Sequence, residues 1–407
     1  MTDSSDRLHG LDAVRGYALM LGVVFHATMS FLPGPQVWMA KDSESSLVLS
    51  GLFFWSHSFR MTTFFLIAGF FAHLTFHRRG AKRFIVDRAK RIALPLVVFW
   101  PLVIAGILGA SGYAVYVATG TFPTAPPEAP GATAATADVP FPLTHLWFLY
   151  VLILLYVATL AVRAIAAAVD RGGRLRAGLD TAVAVVVRNP FAPILLAVPV
   201  AIAFYRTPDW LVFFGVPTPD ANLIPNPAAA VQYGLAFGLG WLIHRQPALL
   251  DGLRDRWTVN LAVGVALSGY LLFELGVAPV VTPDKDAVAL ATHAALYALA
   301  IWSWTFAVIG MALRFLNDES PVRRYIADSS YWIYVIHLPI VILLQAWVSG
   351  FDWHWSVKFA AVLGIGFAVM FLTYELLVRH TFIGAWLNGR RVPWRTARPP
   401  AQLETAR

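Results

Sequence analysis

The chain has 407 residues and no cysteine. Disulfides, thiolate metal ligands and a cysteine acyl-enzyme are excluded at once, while the compartment is left open. Charge is scarce too: Asp, Glu, Lys and Arg together make up 13% of the chain, about half the share in a typical soluble domain. A surface that poor in charge cannot keep a protein of this size in water. What fills the deficit is apolar, since 58% of residues are hydrophobic, with 28 Phe and 15 Trp. The composition therefore describes an all-α, polytopic integral membrane protein. Neither a Walker A nor a G-x-S-x-G sequence is present, and no set of His, Asp and Glu shows metal-ligand spacing. The net charge of +8 calls for no nucleic acid, because membrane proteins collect Lys and Arg in their cytoplasmic loops.

Stretches free of Asp, Glu, Lys and Arg mark the spans, as a hydrocarbon core of about 30 Å takes around 20 helical residues. Ten stand out: 16–40, 61–77, 92–127, 139–162, 189–205, 221–244, 257–273, 287–313, 329–351 and 359–374. About ten transmembrane helices put both termini on one side. If that side is the cytoplasm, only Lys41, Arg60, Arg206, Lys285 and Lys358 of the 31 basic residues fall elsewhere, as the positive-inside rule requires. The expectation is cytoplasmic N and C termini and a single transmembrane domain over 8–390. A basic cytoplasmic tail, 391–407, expected to be disordered, would follow. The first apolar run is too long for a secretory leader and carries His26, so it reads as a retained helix. Two outer loops differ in composition. Residues 121–142, rich in Pro, Ala and Thr, are expected to lack a packed core. Residues 207–227, with Trp210, Phe213 and Phe214, either cover a site or lie on the interface as an aromatic anchor, the second being the default.

Ionisable side chains inside a span cost a few kcal/mol, so each is a functional candidate. The first helix reads LDAVRGYALMLGVVFH. At about 100° per residue, Arg15 and His26 lie about 20° apart and Asp12 about 40° from His26, so the three share a face. His26 is about 16 Å deeper than Arg15, near the midplane if Arg15 sits at the cytoplasmic edge. That arrangement suits a substrate anionic at one end and reactive at the other. The plain alternative is that Arg15 snorkels to lipid phosphates and His26 bonds a neighbouring helix. On the second helix, His57 and Arg60 are one turn apart near the outer end, and His73 and His77 approach the inner end. Arg60 either stabilises an anionic group in an outer cavity or pairs with Glu274. Arg88 and Arg91 share a face at the start of the third helix, where their guanidinium forks suit phosphate; by themselves they read as a topology signal. His145, His293, His337 and Glu375 are further polar residues in or beside spans, and His337 is about 10 Å into its helix from Tyr331.

Arg15, ten intervening residues and His26, with Asp12 before them in LDAVR, resemble the opening of the acyltransferase 3 family of membrane acyltransferases. Arg88-x-x-Arg91 resembles a second motif of that family, and AGF at 68–70 a third, where many members have SGF. Within the family, HSFRMTTFFLIAGFF, HLWFL, SSYWIYVIHLP and YELLVR are most similar to the branch that succinylates osmoregulated periplasmic glucans. The ordered matches run from about residue 8 to 390. The resemblance implies His26 as the catalytic residue and Arg15, Arg88 and Arg91 as ligands of a cytoplasmic acyl-CoA, succinyl-CoA or acetyl-CoA, which is a donor substrate and not a resident cofactor. It also implies a saccharide acceptor beyond a bacterial inner membrane. Ala68 removes the hydroxyl of the usual serine.

The chemistry agrees: a sugar hydroxyl attacking a thioester needs a base, and imidazole titrates near neutrality. Direct transfer and an acyl-histidine intermediate both fit. Asp12, His57, Arg60, His337 and Glu375 are the supporting or acceptor-side candidates, with Arg60 and His57 also suited to the distal carboxylate of a succinyl group. Other readings are an acetyltransferase for another envelope glycan or exported small molecule, and a proton-coupled transporter with His26 as relay. The lipid bilayer, acyl-CoA and a saccharide are the expected partners.

Overall fold

The computed structural model describes residues 9–124, 141–389 and 391–393; most of the 121–142 loop and of the 391–407 tail lies outside the described residues. The regular elements there are helices: α1 (His9–Thr28), α2 (Leu47–Arg88), α3 (Leu94–Thr119), α4 (Trp147–Val169), α5 (Arg174–Arg188), α6 (Ala192–Tyr205), α7 (Pro227–Ile243), α8 (Leu249–Asp255), α9 (Trp257–Leu275), α10 (Ala287–Phe315), α11 (Pro321–Ser349), α12 (Trp355–Thr373) and α13 (Phe382–Asn388). Two π-helical turns, Ala89–Ala93 and Tyr374–Arg379, extend α2 and α12.

Among the described residues, seven helical stretches are long and apolar enough to cross a membrane, or eight if α5 and α6, bent by 107°, form one span. The ten charge-free runs exceed that count for two reasons. One of the seven stretches, Leu47–Thr119, is broken at Gly80 (φ 73°, ψ 169°). Phe84 folds back to within 5.8 Å of Phe76, where a straight helix would separate them by about 12 Å. The run at 221–244 forms only the 17-residue α7.

Local chemistry sets the helix starts. Ser46, Asn226, Asp286, Ser320 and Thr381 each cap a helix by accepting a backbone N–H two or three residues on, and Pro227 and Pro321 occupy first-turn positions where no amide donor is missed. In a bilayer the helices gain little from hydrophobic burial against each other, so close approach of backbones decides packing. Gly69 of α2 faces the carbonyl of Phe237, and Gly240 of α7 faces that of Leu66, with no room for a Cβ at either. The glycine of the AGF sequence thus works as a helix-packing residue. α10, the most buried span, runs beside α9, α6 and α2, and α1 packs on α11, α2, α10 and α12.

The segment between α1 and α2 is fixed by hydrogen bonds and an ion pair beyond the C-terminal end of α1. Ser30 Oγ donates to the Ala40 carbonyl (2.6 Å) and the amide of Asp42 to Ser30 O (3.0 Å). Lys358 Nζ, at the start of α12, donates to Asp42 Oδ1 at 2.8 Å, with both side chains essentially excluded from solvent.

Candidate active site

His26 lies in the last turn of α1. Its ring is half-buried, stacks 5.5 Å from Trp38 (25°) and is tilted 5.2 Å from His337 of α11. Its Nδ1 is buried without a hydrogen-bond partner, and no carboxylate bonds the ring among the described residues. Packing holds the imidazole instead. Gln345 of α11, fully buried, donates to the carbonyls of His26 (2.9 Å) and Ala27 (3.2 Å) and accepts the indole N–H of Trp38 (2.8 Å). These carbonyls end a helix and lack intrahelical donors, so one amide secures both the end of α1 and the ring stacked on His26.

His337 is oriented by its own helix. Its Nδ1 is 2.7 Å from the Tyr334 carbonyl; a carbonyl only accepts, so Nδ1 carries the proton and a neutral ring leaves Nε2 as an acceptor, buried and unpartnered. Pro339, inside α11, has no N–H for the carbonyl four residues back, that of Val335. His145 Nε2 takes up that carbonyl at 3.1 Å, and the Tyr334 hydroxyl donates to the His145 carbonyl at 2.8 Å. The His145 and His337 rings lie 4.8 Å apart. The HLP sequence thus supplies both a histidine and the vacancy that anchors another.

Arg60 joins this group from α2. Its guanidinium lies 4.6 Å over Phe25, is 9% exposed, leaves Nε unpartnered and makes no ion pair among the described residues. Gly22, one turn before His26, is the gap it enters; a Cβ there would collide with Arg60 Nη1. The Glu274 pairing considered from sequence does not form, because Glu274 is exposed at the end of α9. His57 stacks on Phe25 at 4.9 Å and parallel to Phe53 at 5.8 Å. Phe213 and Phe214 pack on Phe53, the ring parallel to His57, and Trp210 is buried against Phe204 and Tyr297. The 207–227 loop therefore covers the site; an interfacial anchor would leave these rings outside.

Toward the start of α1, Arg15 lies 5.7 Å over Phe71 of α2 and meets Asp12 at 3.4 Å. Arg88 donates to Thr75 Oγ1 (3.3 Å) and lies over Phe84 and Tyr156. Phe71 and Thr75 are one turn apart, so the two arginines converge on the same stretch of α2 although 73 positions separate them. Arg91, on the first π-helical turn, meets Asp87 at 3.0 Å, and Asp87 also meets Arg88 (3.2 Å) and Arg79 (3.5 Å). The tyrosine hydroxyl of Tyr331 and the indole of Trp386 bond the carbonyls of Arg91 and Lys90, which pins this turn to α11 and α13.

A family model described as an acyltransferase domain matches residues 8–375, from the start of the first helix into the second π-helical turn. The chain belongs to the acyltransferase 3 family. It is similar to glucans biosynthesis protein C of Salmonella heidelberg, 24% identical over 405 residues, covering 98% of this chain and 97% of that protein. The protein of the same name from Salmonella paratyphi B is 23% identical over the same coverage. That of Escherichia coli K12 is 34% identical over 98 residues, 24% of this chain and 25% of that one. No solved structure matches.

Within this acyltransferase the remaining candidates lie apart from His26. Asp12 lines a crevice at the start of α1 with Asp318, Arg323 and Asp328. Glu375 is taken up by Arg379 (2.8 and 3.0 Å), His380 (3.1 Å) and the Tyr325 hydroxyl (3.2 Å), so it braces the end of α12 and is not a partner of His26. His293 faces Asp284 at 3.4 Å. Nothing in the sequence marks Trp38, Gln345, Gly22 or Asp87 as part of the site. Trp38 and Gln345 are far from His26 in sequence or carry no charge, Gly22 acts by what it lacks, and Asp87 looked like one more charge in a basic run.

Proposed function

We propose that this protein is an O-acyltransferase that moves a succinyl or acetyl group from cytoplasmic acyl-CoA to a hydroxyl of a periplasmic glucan or related saccharide, with His26 as general base. The observation that carries the reading is the half-buried His26 ring, set between His337 and Trp38 and beside an unpaired Arg60. Arg15, Arg88 and Arg91 are the proposed ligands of the CoA phosphates, and the pantetheine arm would extend between the helices toward His26. Asp87, already among three arginines, would hold Arg88 and Arg91 in place until phosphate competes for them.

In the reaction, the acceptor oxygen attacks the thioester carbonyl carbon while His26 takes the hydroxyl proton. The C–S bond then breaks, and the imidazolium returns that proton to the departing thiolate, so no net proton is consumed. The absence of cysteine rules out a thioester on the enzyme. Arg60, a buried cation without a counterion, suits the distal carboxylate of a succinyl donor, and the names of the relatives, which refer to glucan biosynthesis, favour a glucan acceptor. Mass spectrometry of periplasmic glycans from cells with and without the gene tests the assignment. A mass increment present only with the gene identifies the acyl group and its carrier; identical glycans in both would contradict the reading.

A further inference from the structure

The inner ends of α2 and α7 carry a second polar cluster that acyl transfer does not use. His73 Nδ1 and His244 Nδ1 are 2.7 Å apart, and His77 stacks 6.0 Å from His73. Arg163 of α4 lies 4.3 Å over Phe76 and makes no ion pair among the described residues. Asp180 of α5, the carboxylate that reaches the cluster, is already held by Arg245 through two bonds of 2.7 Å. These imidazoles are not arranged to hold a metal.

Two ring nitrogens at 2.7 Å share one proton, one ring donating and the other accepting. In the neutral pair the accepting ring keeps its proton on Nε2, and that N–H has no protein acceptor among the described residues. The pair thus always has one donor in reserve, and two once it gains a second proton. Unpaired Arg163 adds a guanidinium fork that fits phosphate oxygens.

The surroundings say where such an anion would come from. On α4, Val157, Val162, Ile165 and Val169 are 62–69% exposed, an apolar wall that faces lipid. α5 turns away from α6 at 107° and exposes Leu175 and Leu179 beside Arg174 and Arg176, the pattern of a helix lying in the interface plane. Arg163 belongs to this stretch of α4, and the Asp180–Arg245 bond ties α5 to the neighbour of His244, so both helices reach the cluster.

We propose that the polar cluster carried by α2, α4 and α7 binds the phosphate of an anionic phospholipid of the cytoplasmic leaflet, with Arg163 supplying charge and the His73–His244 pair an N–H donor. Basic pockets between transmembrane helices on that side are suited to anionic headgroups. The proposal rests on the membrane orientation and not on the catalytic reading.

The test uses the full chain in detergent with mixed phosphatidylcholine and phosphatidylglycerol of equal acyl chains, followed by native mass spectrometry. Retained lipid should be enriched in phosphatidylglycerol over the ratio supplied. Arg163→Gln, an exposed change on α4, should lower its occupancy about fivefold, the equivalent of about 1 kcal/mol for one cation at the membrane surface. His73→Gln with His244→Gln should lower it further, and CoA release from an acyl-CoA should stay unchanged in both variants. Equal phosphatidylglycerol occupancy in wild type and Arg163→Gln would overturn the proposal. So would displacement of the lipid by free CoA, which would assign the cluster to the donor.

Discussion

Arg60 lies 4.6 Å above the ring of Phe25, the neighbour of His26 in sequence, and no carboxylate neutralises it among the described residues. A buried guanidinium without an ion pair costs several kcal/mol of desolvation. Cation–π attraction to one ring returns only about 1–2 kcal/mol of that. The remaining cost makes sense if an anionic substrate group supplies the missing charge.

Arg60→Met should therefore raise stability by at least about 1 kcal/mol, seen as a higher Tm in detergent, while succinyl transfer is lost and acetyl transfer is spared. Equal loss of both donors would remove the carboxylate role.

Gly22→Ala tests the same contact from the other helix. A methyl group would collide with Arg60 Nη1, and overpacking of this kind costs about 1–3 kcal/mol. We expect a lower Tm together with a raised KM for a succinyl donor. In the Arg60→Met background the alanine should be tolerated, a coupling that a double-mutant cycle measures.

Gln345→Leu should leave the Trp38 indole N–H and two carbonyls at the end of α1 without partners, at about 1–3 kcal/mol for each group that stays buried and unpaired. The expected result is a destabilised protein whose kcat falls because Trp38 no longer holds the His26 ring. Unchanged kcat in the folded variant would mean that the stack on His26 has no part in turnover.

Much of this arrangement is legible in the sequence, and the reason is membrane physics. Charge is so costly in a span that Arg15, His26, Arg60 and His337 stand out individually, and helical geometry alone aligns Arg15 with His26. The helical class could be approached this way, whereas the meeting of Arg60 and His337 with His26 could not, since it depends on how three helices pack. Other features could not. Gly80 breaks a stretch whose hydropathy is continuous, and Gly22, Gly69 and Gly240 matter through the absence of a side chain. Trp210 and Phe213 look the same in sequence whether they cap a site or float in the interface. Glu375 looked as eligible as His337, and only its proximity to Arg379, His380 and Tyr325 shows it to be a brace.

The buried Asp42–Lys358 pair was another such feature, since Lys358 reads as one of a few stray outer cations. Removing one partner leaves an uncompensated buried charge, so Lys358→Met should cost about 3–5 kcal/mol. Combining it with Asp42→Leu should recover most of that loss in thermal unfolding. A double variant no more stable than Lys358→Met would show that the pair is not the element fixing this segment.

The central claim is that His26 carries acyl transfer from a cytoplasmic thioester. The most direct measurement is label transfer from succinyl-CoA, with the acyl carbon labelled, by purified protein in proteoliposomes that enclose a glucan acceptor. Labelled glucan is expected inside with wild type and none above background with His26→Ala, although both proteins are folded to the same Tm within error. Label transfer by His26→Ala at the wild-type rate would contradict it.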